Sequence, residues 1–526
     1  MTIGTNYGLL VTTGLAATTL ALLAGTMPAK AEPPSLVYET TITGFNQGGG
    51  SDVVVDEAGN AYVLSQDRDA DDIHLGFAVA KVGPDGDVLW VTPISGADHD
   101  VAGGVALNSM GEVCVTGWTD SPNFPTVNAL DPSLTGFRDA FVMKLSAEDG
   151  SITYSTYLGG DYVDSGYDIV VTASDEMIVV GTTESSDFPT VNPIQDELNS
   201  PPYQYADLFI TRLSADGSAI LYSTYLGGSQ DERLAAVALD AQERIYVATN
   251  VEHDDFPTVN PIQGFAGGTE DVVVARLAAD GSAIEFATYL GGADWDHLRR
   301  IDVDSAGSVY VAGSTRSITY PTTPGAYQEE FVGEILGCGS PPFDPLRNCE
   351  DVFVTKLSPD GSALEYSTFL AGHTVDEVRG IAVDAFGRAH VAGYTFSENF
   401  PGAAFGEVFV VRLNAAGSAV DYTVTVDSIT PNSGQAVALD TQGGVYFTAS
   451  VDLPSQLYVA RYQEDLPLLG DLDGDGDVDL SDLAILLSNY GVVGGAQYED
   501  GDLDGDGDVD LSDLAALLAN YGTTSG

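Results

Sequence analysis

The chain has 526 residues, 78 of them acidic against 18 Lys plus Arg, for a formal charge of −60. A field of that sign repels nucleic acid and anionic membrane surfaces, so neither is an expected partner. With 44% hydrophobic residues and only 18% charged, the chain still carries enough apolar material for a large core and is not a disordered acidic tail.

Residues 1–31 read as an export signal. An apolar run over residues 7–27 leads to Ala29-Lys30-Ala31, an A-x-A cleavage pattern, ahead of Glu32-Pro33-Pro34. No Lys or Arg precedes the run, and the run is just long enough to cross a bilayer, so a retained anchor is the alternative. The expectation is a secreted, extracellular or cell-surface protein with no membrane span after signal cleavage. That setting is oxidising. Cys338 and Cys349 bracket the insert CGSPPFDPLRNC and can close a small disulfide loop, whereas Cys114 alternates with apolar residues in EVCVTG and reads as a buried thiol. The scattered cysteines and histidines show no zinc-ligand spacing.

From residue 36 to 462 four phrases recur in order. The first is apolar, as in GIAVD at Gly380. The second follows a turn, as in VYVAG at Val309. The third reads AFVMKL at Ala140 or VFVTKL at Val352, and the fourth YSTYLGG at Tyr154 and Tyr222. Each alternates or runs apolar over five to seven residues rich in Val, Ile, Tyr and Thr, the signature of a strand. Asp-Gly stands between the third and fourth phrases at Asp149-Gly150, Asp216-Gly217, Asp280-Gly281 and Asp360-Gly361, supplying the positive φ of a tight hairpin. The unit is a four-stranded antiparallel sheet, and its spacing of roughly 45 to 80 residues suits a propeller blade. First and third phrases each occur seven times. Nothing like the fourth follows the last third phrase, LYVARY, but YETTITG at Tyr38 precedes the first blade. The expected fold is mainly β: a seven-bladed propeller whose N-terminal strand completes the last blade and removes an open edge.

These phrases, with loops NFPTVN at Asn123 and DFPTVNPIQ at Asp187 and Asp255, resemble the bacterial SBBP-type β-propeller repeats. The resemblance covers residues 36–462 and implies the fold but no catalytic residues. An aspartate recurs after the fourth phrase at Asp100, Asp164, Asp231, Asp296 and Asp376. Its repetition favours a cap on each blade-to-blade turn over a ring of cation or sugar ligands. His99, Trp295, His297 and His373 lie near this ring, and His297 with Asp296 is the pair that acid–base chemistry would need. Asp67, Asp69, Asp71 and Asp72 make a poor calcium loop, with Arg68 among them and no turn glycine. The insert between Thr315 and Asp351 is the most individual part of the ring and a candidate partner-binding projection. Common hydrolase and nucleotide-binding motifs are absent from the sequence.

The richest chemistry lies in residues 470–522, after a linker at 463–469. Asp471 to Asp482 fits the twelve-residue calcium loop position by position, and Asp502 to Asp513 repeats it. Asp471, Asp473 and Asp475, and again Asp502, Asp504 and Asp506, supply side chains at positions one, three and five. Gly476 and Gly507 allow the turn at six, and the carbonyls of Asp477 and Asp508 serve position seven. Asp479 and Asp510 sit at nine, and Asp482 and Asp513 close the shell at twelve. Two Ca2+ ions are therefore the expected cofactors. Each loop leads into a short helix with Leu483, Leu486, Leu487 and Tyr490 on one apolar face, stopped by Gly491 or Gly522. No helix is expected before the first loop. The two 22-residue copies differ only at Ile485/Ala516 and Ser488/Ala519.

Duplicated loop–helix motifs of this kind resemble a type I dockerin. The resemblance implies docking to a cohesin-type or cell-surface protein through positions ten and eleven, here Leu480-Ser481 and Leu511-Ser512; leucine there departs from the two hydroxyl residues many dockerins carry. It also implies a pseudo-twofold surface able to dock in two orientations. The reading that results is a secreted, non-enzymatic calcium-binding protein with a propeller platform. The alternatives are a polysaccharide-degrading component of an extracellular complex and a calcium-dependent envelope or matrix protein.

Overall fold

The computed structural model describes residues 33–42, 50–68, 75–201, 203–333, 348–427, 434–451, 456–466, 468–473, 477–493, 496, 498–503 and 508–524. The signal segment, Cys338, Asp69, Asp71, Asp72, Asp475, Gly476, Asp504, Asp506 and Gly507 lie outside them, as does the side chain of Asp67.

Seven four-stranded antiparallel sheets form the propeller. Blades 1 to 6 take their strands consecutively, over residues 50–94, 100–158, 164–226, 232–290, 296–370 and 376–427. Blade 7 is closed as expected. Its outer strand is Ser35–Ile42, which pairs antiparallel with Gln456–Gln463 from Ser35↔Gln463 to Ile42↔Leu457. The Asp-Gly turns carry their positive φ at Gly150, Gly217, Gly281 and Gly361. Among the described residues no helix is long and apolar enough to cross a membrane.

The repeated phrases follow from how neighbouring blades grip each other. Apolar residues of the inner three strands interdigitate across each blade interface, as where Ile178, Val180 and Ile210 of blade 3 meet Val237, Val247 and Val273 of blade 4. Burying each such side chain contributes about 1.5–3 kcal/mol. The glycine ending the second phrase is required by a close approach: a Cβ on Gly181 would lie 2.0 Å from the Ser165 carbonyl oxygen, and on Gly117 2.0 Å from that of Val101. The Phe of the FPT loops is buried against the third strand, with Phe188 stacked on Phe209 and Phe400 on Phe409. The second Tyr of the fourth phrase pins that loop; Tyr157 donates to the Ser121 carbonyl and accepts from the Phe124 N–H.

The scarce basic residues are mostly fasteners. Each third strand contributes one: Lys81, Lys144, Arg212, Arg276, Lys356, Arg412 and Arg461. The first four reach carbonyls in the next blade's hairpin, at Ala147, Ala215, Ala279 and Pro359. Lys356 pairs instead with Asp304 and Glu365. Arg461 and Tyr446 of blade 7 reach Pro84 and Gly59 of blade 1, which fastens the ring shut.

The chain leaves blade 7 through a second fastening. Glu464, 6% exposed, accepts hydrogen bonds from His390 Nε2 at 2.8 Å, Arg412 Nη1 at 2.6 Å and the Tyr422 hydroxyl, all in blade 6. Arg388 adds a 3.4 Å contact. Beyond it, helices α1 (Leu480–Asn489) and α2 (Leu511–Asn520) follow the two acidic loops. A single 3-10 turn, Tyr498–Asp500, leads into the second loop, and Tyr498 also meets Phe386 of the propeller edge-on at 5.1 Å.

Candidate functional site

In the C-terminal pair the two copies exchange backbone bonds. The Val478 N–H donates to the Thr523 carbonyl and the Gly522 N–H to that of Val478, while Val509 makes the same exchange with Val492 and Gly491. The copies thus meet with pseudo-twofold symmetry around a shared core of Leu472, Val478 and Leu486 with Leu503, Val509 and Leu517. Positive φ at Gly491 and Gly522 ends the helices. The expected four-residue apolar face is divided. Leu486 is fully buried and Leu483 half-buried, but Leu487 and Tyr490 are exposed, as are Leu518 and Tyr521 in the second copy. The physical reason is helix size: two ten-residue helices packed on one another and on two loops cover only the inner side of that face.

Asp482 is fully buried at the third position of α1 and organises the first loop. Its Oδ1 accepts from the Leu472 and Asp473 N–H groups at 2.6 and 3.2 Å, and its Oδ2 from the Asp479 N–H at 2.7 Å. Asp479 caps the helix by accepting from the Ser481 N–H. Asp513 and Asp510 repeat these roles with Leu503 and Ser512. Ligand oxygens of Asp471, Asp473 and Asp482 all lie within 4.8 Å of one another. Oxygens each about 2.4 Å from a single calcium would be separated by no more than about 5 Å, so this donor set fits the ion. In the second loop Asp502 and Asp513 are buried and Asp508 is half-buried. Leu480 and Leu511 are 68% and 70% exposed, with Ser481 and Ser512 exposed beside them.

The recurring ring aspartates are turn caps. Asp100, Asp164, Asp296 and Asp376 each open an inner strand, fully buried. Each accepts from the N–H of a glycine four residues earlier and from a serine two residues past the end of the second strand; Asp164, for example, takes Gly160 N–H at 2.7 Å and Ser185 Oγ at 2.8 Å. Asp231 is not a member of this set. Glu232 occupies the position in blade 4, and the serine there is replaced by His253, whose Nε2 lies 3.0 Å from Glu232. The longer acid moves the acceptor and the histidine reaches it. A second buried acid opens each third strand in blades 2 to 5: Asp139, Asp207, Asp271 and Asp351. The pairs close over a glycine, since a Cβ on Gly159 would lie 2.6 Å from Asp139 Oδ1 and 2.8 Å from Asp164 Oδ2. Burial pushes Asp139 up to about 6, Asp164 to about 7 and Asp351 to about 8, against the opposing pull of their hydrogen bonds.

His297 and Asp296 do not form an acid–base pair. As neighbours on a strand they point to opposite faces; Asp296 caps its turn, while His297 Nε2 lies 2.9 Å from Glu270 and its ring stacks on Trp295. His99 contacts Asp98 and Asp120, and Asp120 is itself paired with Arg138 at 2.7 Å. His373 is exposed. Cys114 is a buried free thiol that burial pushes up to about 12. Cys349 is buried and disulfide-bonded.

The central channel holds residues that sequence reading passed over. Arg300 of blade 5 approaches Asp52 of blade 1 at 3.5 Å and Asp168 of blade 3 at 3.4 Å, an ion triad between inner strands of non-adjacent blades. Arg299 and Arg379 share Glu377, at 3.3 and 2.8 Å. The signal was present as arginines in RRIDVD and VRGIAVD, inside phrases that are otherwise apolar or Gly in most blades. At the channel's other end the lining residues carry apolar side chains apart from Asp302, around a cavity of about 470 Å³.

No family model matches the chain, and no curated protein matches it. Solved structures align with most of the chain at low identity. A polysaccharide lyase, Uly1, aligns over 82% of this chain and 100% of its own, at 7% identity and TM-score 0.47. A Dyadobacter fermentans protein of unknown function aligns over 82% and 99%, at 10% identity and TM-score 0.41. YCF48 bound to D1 peptide aligns over 84% and 100%, at 9% identity and TM-score 0.41. These are likenesses of fold.

Proposed function

We propose that residues 470–522 are a calcium-folded docking module of the dockerin kind, carried on an exported propeller that serves as a binding platform. The observation that carries this reading is the convergence of Asp471, Asp473 and Asp482 at the N-terminus of α1. In the first loop these three would hold one Ca2+, together with Asp475, Asp479 and the Asp477 carbonyl; Asp502, Asp504, Asp506, Asp508, Asp510 and Asp513 would hold the second. The ion supplies the positive charge that lets five or more carboxylates share one turn. Two exposed apolar stripes, Leu480 with Leu487 and Leu511 with Leu518, then face outward in equivalent settings. A cohesin-type or cell-surface protein is the proposed partner.

Equilibrium dialysis of the full chain should show the loss of one tightly bound calcium in Asp482→Ala and one in Asp513→Ala. Chelation should also lower helix content at 222 nm by the contribution of α1 and α2. Binding to a cohesin-type domain should survive Leu480→Asp or Leu511→Asp alone and fail in the double variant, because either copy can dock. Unchanged stoichiometry in both aspartate variants would refute the calcium reading. Docking that persists in the double variant would refute this surface.

A further inference from the structure

We infer that the entrance of the central channel, where the inner strands begin, is a binding site for a small organic carboxylate of the size of one sugar acid. The site rests on the propeller alone and stands independently of the calcium module.

Every inner strand carries one β-bulge near its start, at the same position in all blades but blade 4, where it comes one residue earlier. The pairing skips Ser51, Gly103, Tyr167, Leu234, Arg299, Arg379 and Gln435 in blades 1 to 7. A bulge re-aims one side chain without moving the strand, and bulges gather beside functional sites. One residue further on, the segments are near-copies of one another, such as VVVD at Val53, IDVD at Ile301 and IAVD at Ile381. The bulge residues are not copies: Ser, Gly, Tyr, Leu, Arg, Arg and Gln. The ring therefore repeats its framework and varies the bulge residue, and in blades 2 to 6 the bulge residues line one cavity. A ligand that breaks sevenfold symmetry requires that pattern, whereas a structural cap would not.

Gly103, Tyr167, Leu234, Arg299, Arg300 and Arg379 line one cavity of about 180 Å³. That is below the 300–1,000 Å³ typical of pockets for drug-sized molecules. Three of the chain's 18 bases meet here, although the net charge of −60 disfavours any anion approaching by long-range attraction. Arg299 and Arg379 divide one carboxylate, Glu377, between them, and the Nε of each is buried with no hydrogen-bond partner among the described residues. Burial, and then the neighbouring Arg379, lower the Arg299 pKa against the opposing pull of Glu377 and Glu350. Arg300 beneath them is held by Asp52 and Asp168, which closes the floor. Leu234 sits at φ 63°, a conformation costly for leucine, with its carbonyl held by Thr249 Oγ1 at 2.8 Å. Tyr167 and Leu234 give an apolar wall for a carbon skeleton opposite two planar forks suited to a carboxylate.

The test uses the full chain at fixed calcium, with galacturonate as probe and galactose as its neutral counterpart. Calorimetry should show saturable galacturonate binding that weakens as salt rises, with no galactose binding. Arg379→Gln and Arg299→Gln should each weaken binding at least tenfold, and Arg379→Lys, which keeps the charge and loses the fork, by less. Thermal denaturation of the wild-type chain should shift upward with galacturonate and not with galactose, a readout that needs no variant. Absence of saturable binding and of any thermal shift would overturn the proposal. So would equal binding of galactose, or binding untouched by folded Arg379→Gln.

Discussion

Replacing Glu464 by Gln should unfasten the exit of the ring. The carboxylate is 4% exposed and faces Arg412, itself 6% exposed, with His390 and Tyr422 donating to the same group. Breaking a buried pair by neutralising one member typically costs about 3–5 kcal/mol, because the other charge stays buried. A second route gives a similar size. Burial alone would push the Glu464 pKa up, but the hydrogen bond and charge of His390, with Arg412 and Tyr422, bring it from 4.5 to about 2. At about 1.4 kcal/mol per pH unit, that difference stabilises the fold by about 3 kcal/mol. A depressed folded-state pKa stabilises above the unfolded value and loses its effect as pH falls. The full contribution is therefore present at pH 7, and about 2 kcal/mol of it should be gone by pH 3. Urea unfolding followed by tryptophan fluorescence, at fixed calcium, measures both. The gap between wild type and Glu464→Gln should be about 3 kcal/mol at pH 7 and narrow below pH 4.5. A gap under about 1 kcal/mol at pH 7, or one that does not narrow, would refute the reasoning.

The buried acid pairs act in the opposite direction. Asp164, raised from 3.8 to about 7, favours the fold fully below its unfolded pKa and loses that effect as pH rises through about 7. Asp164→Asn should therefore reduce the drop in stability between pH 5 and pH 8 by about 2–3 kcal/mol, measured by denaturant unfolding at both pH values; an unchanged drop would count against a buried titrating Asp164. Gly181→Ala places a Cβ 2.0 Å from the Ser165 carbonyl oxygen and should destabilise by about 3 kcal/mol, against little effect from alanine at the open turn glycine Gly406 beyond its φ of 82°. Thermal melts of the two variants compare them, and equal losses would show that the close approach is not what selects glycine.

Blade number, strand order within a blade and the closing of the ring by Ser35–Ile42 were legible because each repeat carries its own turn and alternation signals. The acidic loops were legible because each gathers its carboxylates in one short stretch of chain, and in the first loop Asp471, Asp473 and Asp482 do converge. What sequence could not supply is what depends on residues far apart in the chain. Spacing alone places Asp231 among the ring aspartates, yet Glu232 with His253 fills the role, since only the packed turn decides which acid reaches the glycine N–H. Leu487 and Tyr490 share a helical face with Leu486, yet stay exposed because α2 and the loops cover only part of it. Arg299-Arg300 and Arg379 stand in two different repeats, far apart in the chain. The ring brings them to one cavity, Arg299 and Arg379 from bulge positions and Arg300 from the paired position beside Arg299.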